Sequence, residues 1–398
     1  MEVPSGVATD RVVDFDIFNP PGVETDYFSA WQSLVRVDGP GMVWTTANGG
    51  HWIATRGDVV RSLWADSERL SSEVLAVTPG LGEMMKFIPL QQDPPEHGPF
   101  RLSVMKGLAS RYVVALEPKV AEVTRELIAA IKPAGACEFV EEFAEILPLH
   151  IFLTLIDVPL SDRPRLRALG AQLTRPDGSM TVEQLRDAAD DYLRPFIEAR
   201  MANPGEDLFS RIFVAGVDGR PWTMDEARRM CRNLLFGGLD TVVAMIGMIT
   251  LHLARHPQDQ TYLRAHPELL PQAADELMRR YPTVSVSRNA VVDMEIDGVQ
   301  VRAGDIVYLP SVLHNLDPSA FEAPEEVRYD RALNPTRHTT LGAGAHRCVG
   351  AGLARMEVIV FLREWLANMP DIRLDPDKPV RMKGGNVGAC TALPLIWD

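Results

Sequence analysis

The sequence predicts a mainly α-helical protein with a few small β-sheets. Three observations carry that prediction. The stretch from Asp93 to His266 reads as mostly helical, with breaks at Pro133, Pro159, Pro176-Asp177-Gly178 and Asn203-Pro204-Gly205. Two shorter regions, Val43 to Ile53 and Ala290 to Leu309, read as β-type runs separated by turn residues. One long apolar helix begins at Thr223 and meets no proline until Pro257.

The elements follow in order. The first twenty-five or so residues are polar and proline-bearing and read as an irregular arm. Asn48-Gly49-Gly50 marks a hairpin turn inside the first β region, about 43–55. Thr223-Met224-Asp225-Glu226 has the form of a capping box, in which the Thr hydroxyl and Glu carboxylate satisfy free backbone N–H groups. More than thirty residues can follow as helix, roughly 50 Å at about 1.5 Å per residue. That helix is apolar nearly all round from Leu234 to Leu253, so it should run buried through the centre. Asp297-Gly298 and Ala303-Gly304 punctuate the second β region, about 290–310, and predict hairpin pairing. A last helix spans about Val349 to Leu366, and the C-terminal end is β-like. No repeat or interdomain linker interrupts 1–398, so a single domain is expected.

Composition narrows the function. The 398 residues are 46% hydrophobic and 24% charged, ordinary for a globular chain. The formal net charge of −14 argues against general affinity for nucleic acid or an anionic membrane. The most apolar run, Val242 to Leu251, falls short of the about 20 residues that span a bilayer. A cytosolic monomer is expected. Cys137, Cys231, Cys348 and Cys390 are scattered and form no disulfide framework.

Only Cys348 has a neighbourhood that calls for chemistry. Leu341-Gly342-Ala343-Gly344-Ala345-His346-Arg347 precedes it, and a helix with apolar spacing follows. A sulfur at a helix start is favoured as thiolate by free N–H groups and the helix dipole. The glycines allow a tight turn and close approach to a flat ligand. Within the long helix, Gly237-Gly238-Leu239-Asp240-Thr241 is costly. Mid-helix glycines cost about 1 kcal/mol each, and buried polar side chains cost more unless bonded. Either close helix packing or something flat or diatomic approaching the backbone explains the glycines.

The Cys348 segment resembles the haem-binding signature of the cytochromes P-450, Phe-x-x-Gly-x-x-x-Cys-x-Gly. Gly344, Cys348 and Gly350 match it, and Leu341 stands in place of Phe. The resemblance extends over nearly the whole chain to the camphor 5-monooxygenase branch. Gly50-His51-Trp52-Ile53-Ala54-Thr55-Arg56-Gly57, Phe87-Ile88-Pro89, Thr174-Arg175-Pro176-Asp177-Gly178-Ser179-Met180 and Ala392-Leu393-Pro394-Leu395-Ile396-Trp397 are especially similar to it.

The resemblance implies a cytochrome P-450 fold with the long helix crossing over haem b, and monooxygenation. Cys348 is implied as the iron ligand, and a thiolate ligand promotes O–O cleavage. Gly237 and Gly238 are implied beside the haem, with Asp240 as proton source and Thr241 as the hydrogen-bonding alcohol. His97, Arg101, Arg288 and His346 are implied partners of the haem propionates, for which Arg is well suited. Glu276 and Arg279 match the family's Glu-x-x-Arg, a buried ion pair that shapes the core. Bare copies of that pattern at Glu122/Arg125, Glu183/Arg186, Glu226/Arg229 and Glu325/Arg328 read as surface pairs. Arg167 and Arg175 match basic positions that restrain the acid.

The implied substrate pocket comprises Met85, Phe87, Asn233, Phe236, Val284, Asn386 and Val387. Met85 replaces the Tyr that anchors a ketone in camphor hydroxylases. Asn233 and Phe236 replace Leu and Val, and Asn386 replaces Ile. A largely apolar terpenoid of another shape, such as an ionone-like norisoprenoid or a monoterpenoid, is the expected substrate, with Asn233 or Asn386 as new anchors. Electrons are expected from NAD(P)H through a ferredoxin reductase and a [2Fe-2S] ferredoxin. Arg61, Arg101 and Arg355 match basic docking positions, whereas Gly98 and Pro335 replace two others. Camphor hydroxylation proper, a peroxygenase and a haem-based sensor are the alternatives. Asp240-Thr241 counts against the peroxygenase, and the absence of an output domain counts against the sensor. A zinc site on His338, His346 and Cys348 fits no strong ligand spacing.

Overall fold

A computed structural model describes residues 3–4, 6–35, 39–74, 76–77, 80–174 and 176–398. The predicted class holds: helices dominate and the sheets are small. The helices that build the site are α1 (His97–Gly107), α2 (Ser110–Ile131), α3 (Leu147–Leu155), α4 (Arg163–Thr174), α5 (Val182–Ala202), α6 (Met224–Leu239), α7 (Thr241–Arg255), α8 (Leu270–Arg280) and α9 (Ala351–Asn368).

The breaks fall where the prolines and glycines stand. α4 ends at Thr174, just before Pro176-Asp177-Gly178, and α5 ends before Asn203-Pro204-Gly205. The Asn48-Gly49-Gly50 turn adopts positive φ at all three residues, 52°, 89° and 83°. It joins Met42–Thr45 to His51–Ala54 as an antiparallel pair in the register Trp44↔Trp52. Asp297-Gly298, also at positive φ, closes the Met294–Ile296/Val299–Val301 hairpin. The second expected hairpin does not form. Beyond Ala303-Gly304, Ile306–Pro310 pairs with Ser285–Ala290 and His51–Ala54 instead. That pairing closes a six-stranded sheet, so the β region begins at Ser285, five residues before the expected start. The N-terminal arm is not wholly irregular, because Val12–Val13 pairs with Met42–Thr45.

The long central helix is two helices. The Thr223 capping box is present, with Glu226 N–H on Thr223 Oγ1 and Thr223 N–H on Glu226 Oε2. The path breaks at Asp240 (φ −131°, ψ −26°) and resumes at Thr241. Thr241 Oγ1 donates to Gly237 O across the break at 3.0 Å. Together Met224–Arg255 spans 32 residues, long and apolar enough by length and composition to cross a membrane. Length therefore does not exclude a span, as the shorter apolar run suggested. Burial accounts for the composition: 67% of its most apolar stretch lies inside the protein.

Candidate functional site

A cavity of about 300 Å³ lies between α6–α7 on one side and the Leu341–Gly350 loop on the other. Cys348, Arg101, Arg288, His97, His346, Gly237, Gly238 and Thr241 all line it. Cys348 is exposed, but the surface it exposes faces this cavity.

The loop is shaped locally. Cys348 N–H donates to Leu341 O at 2.8 Å, closing the segment on itself. Gly342 and Gly344 take φ of +75° and +64°, values that suit glycine. A Cβ on Gly344 would lie 2.8 Å from Ala65 Cα, so this glycine serves contact with the Gly57–Ala65 helix rather than with a ligand. Cys348 stands two residues before Gly350, the N-cap of α9. Burial raises its thiol above the ordinary value, while the Gly350 N–H, Arg101 and Arg347 favour the thiolate. A thiolate-seeking metal would complete that balance.

The cavity's edge is cationic and unpaired. Arg288 is buried; burial pulls it down to about 10, and it donates to Ser287 O. Arg101 donates to Arg347 O. Neither guanidinium has a carboxylate partner among the described residues. His97 and His346 stand 4.3 Å apart by ring centroid. Burial and the neighbouring arginines push them down to about 4 and about 3, so both are neutral at pH 7. His346 Nε2 is buried without a hydrogen-bond partner. A buried Arg288 and a half-buried Arg101, both without carboxylate partners among the described residues, and an orphaned imidazole nitrogen fit a dicarboxylate. With the thiol on one face and a largely apolar interior, the residues fit haem.

The glycine pair divides its roles. A Cβ on Gly238 would strike Phe152 at 2.5 Å, so Gly238 serves the packing of α3 on α6. A Cβ on Gly237 would meet nothing within 4 Å, and Gly237 opens onto the cavity. Asp240 is buried at the break and does not line the cavity. Arg167 pairs with Glu145 (Nε–Oε2 2.7 Å), which corrects its expected place on Asp240. Burial pushes the Glu145 carboxyl up to about 7 against the pull of Arg167, and Asp240 adds to the rise. Arg175 lies outside the described residues.

Glu276 and Arg279 form the buried pair, at 1% and 0% side-chain exposure. Arg279 spans both carboxylate oxygens and donates to Asn315 O and Pro324 O. Arg331 Nε and Arg328 N–H complete Glu276. Asn315 in turn holds Thr340 Oγ1 and Thr339 N–H, just before the Cys348 loop. Sequence reasoning missed Asn315, Thr339, Thr340 and Arg331, because only their distant partners reveal them. It also missed Glu357 of α9, which lines the cavity and whose carboxyl burial pushes up to about 8. An acid amid Met356, Val358, Ile359 and Val360 was the signal available.

The expected pocket set needs most correction. Asn233 and Val284 line the cavity; Met85, Phe87, Phe236, Asn386 and Val387 do not. Phe87 and Phe236 turn toward each other, 5.8 Å apart, in the same buried cluster as Met85. Val387 forms a β-bridge with Val284 and stands behind it. Asn233 Nδ2 donates to Ile88 O at 3.0 Å. Arg355 is bound through both its Nε and Nη2 to Asp275, so its charge is already matched. Arg61 donates to Arg337 O and Thr336 O and has no carboxylate partner among the described residues.

The model of the family described as Cytochrome P450 matches residues 179–383. The chain belongs to the cytochrome P450 family. Relatives extend the match across the whole of this cytochrome P450. It is 34% identical to a probable cytochrome P450 127A1 of Sinorhizobium fredii, over 99% of this chain and 97% of that one. It is 31% identical to nocardicin C N-oxygenase of Nocardia uniformis, covering 87% and 89%. The crystal structure of cytochrome P450 CYP101C1 superposes with a TM-score of 0.93 at 74% identity, and that of CYP101J2 with 0.91 at 40%; both cover all of each chain. This cytochrome P450 is a haem-dependent monooxygenase of the bacterial type.

Proposed function

We propose that this monooxygenase hydroxylates a small, largely apolar terpenoid, with electrons from NAD(P)H passed through a ferredoxin reductase and a [2Fe-2S] ferredoxin. The observation that carries the reading is the cavity itself: Cys348 on one face, two arginines without carboxylate partners and two imidazoles at the edge, and Gly237 with Thr241 on the face opposite. The bound haem supplies the iron at which dioxygen is split and one oxygen atom is passed to substrate.

The chain's own residues then have separate tasks. Cys348 ligates the iron as thiolate, its charge held by the Gly350 N–H and the nearby guanidinium groups. Arg101, Arg288, His97 and His346 hold the propionates and so orient the ring. Gly237, where a Cβ would meet nothing within 4 Å, leaves that part of the cavity open. Thr241 donates to Gly237 O, which leaves its oxygen lone pairs to accept a proton or hydrogen bond. Asp240, at the helix break one residue earlier, is the proton source of the relay, in which Thr241 Oγ1 would pass its own proton into the cavity as it takes up another. Arg167 holds Glu145 beside it. The apolar lining, including Phe152, Leu155, Leu234 and Met245, binds hydrocarbon and excludes water.

A ketone anchor at Asn233 is weakened, because one amide N–H is spent on Ile88 O. Of the docking cations, Arg61 remains without a carboxylate partner and Arg101 is shared with the propionates, so an acidic ferredoxin is received around Arg61. The burial of the Met224–Arg255 helices favours a core role for them over a membrane span, and a cytoplasmic monomer is part of the same proposal.

The relay is tested by Thr241→Ala. It should still consume NADH, with much of it diverted to hydrogen peroxide, whereas Asp240→Asn should slow turnover. Product formation coupled to NADH as tightly as in wild type would remove Thr241 from the relay. For substrate, camphor should bind more weakly than a larger terpenoid; camphor rivalling every terpenoid tested would sink that part.

A further inference from the structure

The wall of the cavity next to Pro89 is held by donors from one face of α6. Arg229, Arg232 and Asn233 stand at helical spacings of three and four residues, so their side chains share a face. Each takes a different backbone carbonyl of one short segment. Arg229 Nε donates to Lys86 O at 2.6 Å, Arg232 Nη2 to Met85 O, and Asn233 Nδ2 to Ile88 O at 3.0 Å.

Arg232 is the centre of this arrangement. It is buried, its guanidinium lies 5.9 Å from the Phe87 ring centre, and Nη1 is bound to Asp190 of α5. Burial works against its charge, and Asp190 offsets that cost. The segment also braces itself. Gln91 Nε2 donates to Glu73 O and Gly82 O, and Phe87 N–H donates to Gln91 Oε1 at 2.7 Å. Pro89 and Leu90, next along the chain, line the cavity with Asn233. The position of this wall sets how much room a substrate has.

We propose that Arg232, fixed by Asp190, is a positioning residue that sets the Met85–Ile88 segment, and through it the adjoining Pro89–Leu90 wall and the size selectivity of the pocket. It does not line the cavity. Its loss should loosen the wall while leaving the thiolate loop and the propionate partners in place.

The test uses the haem-loaded enzyme. Amide hydrogen exchange is followed in residues 85–91 without substrate, and a size-graded series of terpenoids is titrated by the haem spectrum. Arg232→Met should speed exchange at Lys86 and Phe87 at least tenfold. It should also flatten the affinity ranking, with the best ligand losing about tenfold and the largest gaining. The carbon monoxide spectrum should not change. Arg232→Lys, which keeps the charge, should recover part of the ranking. Asp190→Asn should loosen the wall by a second route and serves if Arg232→Met does not fold. Exchange and ranking both as in wild type would overturn the proposal. So would lower thermal stability with the ranking intact, which marks a merely structural residue. If no terpenoid binds the wild type, the terpenoid reading fails, and the exchange rates at Lys86 and Phe87 still decide the role of Arg232.

Discussion

Cys348 sits in a loop closed by a hydrogen bond to a residue seven positions earlier, Leu341. The segment Met85 to Ile88, which leads into the Pro89–Leu90 wall of the same cavity, is held by side chains 143 to 147 residues further along the chain. The loop is written in contiguous glycines and one cysteine. The wall is written in pairs that only the fold brings together. Chemistry common to a family can reside in the first kind of region. Selectivity belonging to one chain is proposed to reside in the second.

The largest effect should come from breaking the support of the loop. Arg279→Ala leaves Glu276 buried with only Arg331 to balance it. A loss of roughly 3–5 kcal/mol is expected, as for other broken buried pairs. Haem content and denaturant midpoint should fall together. Equal stability would show that Arg331 alone suffices.

The next effect depends on pH. Glu357 holds its proton up to about pH 8 in the folded chain, against an ordinary carboxyl value near 4.5. Between those values the folded state keeps a proton that the unfolded state releases, so stability falls as pH rises across the window. Glu357→Gln removes that slope. In haem-free protein its advantage should be absent at pH 4.5 and greatest above pH 8, with a ceiling of roughly 5 kcal/mol. An advantage that does not vary with pH would contradict the assignment.

The glycine pair sharpens the comparison at smaller scale. Gly238→Ala should destabilise by about 1–3 kcal/mol through overpacking against Phe152. Gly237→Ala meets open space and should gain about 1 kcal/mol of helix propensity, at the cost of room in the cavity. Melting curves and ligand titrations separate the two. Equal melting shifts would deny the division of roles.

Legibility in the sequence followed the same divide. Asn48-Gly49-Gly50, Asp297-Gly298 and the proline breaks were readable because each acts through its own backbone geometry. The break at Asp240 was not, since aspartate does not stop a helix by itself and Thr241 bonding back to Gly237 hides the defect locally. The resemblance to a family motif picked out Cys348, His97, Arg101, Arg288 and His346, which line one cavity, and the buried Glu276–Arg279 pair. Met85, Phe87 and Phe236 lie in a buried cluster off the cavity's lining, and residue type says nothing of which way a side chain turns within such a cluster. Arg355 resembled a docking cation until Asp275, 80 residues earlier, was seen to match it.

The central claim is that Cys348 ligates haem iron as a thiolate. The absorption spectrum of the reduced, carbon monoxide-bound protein tests it most directly. Wild type, Cys137→Ala and Cys390→Ala should all show a Soret band shifted strongly to the red, and Cys348→Ala should lose that shift. A red-shifted band retained in Cys348→Ala, or a wild-type protein that takes up no haem, would contradict the account.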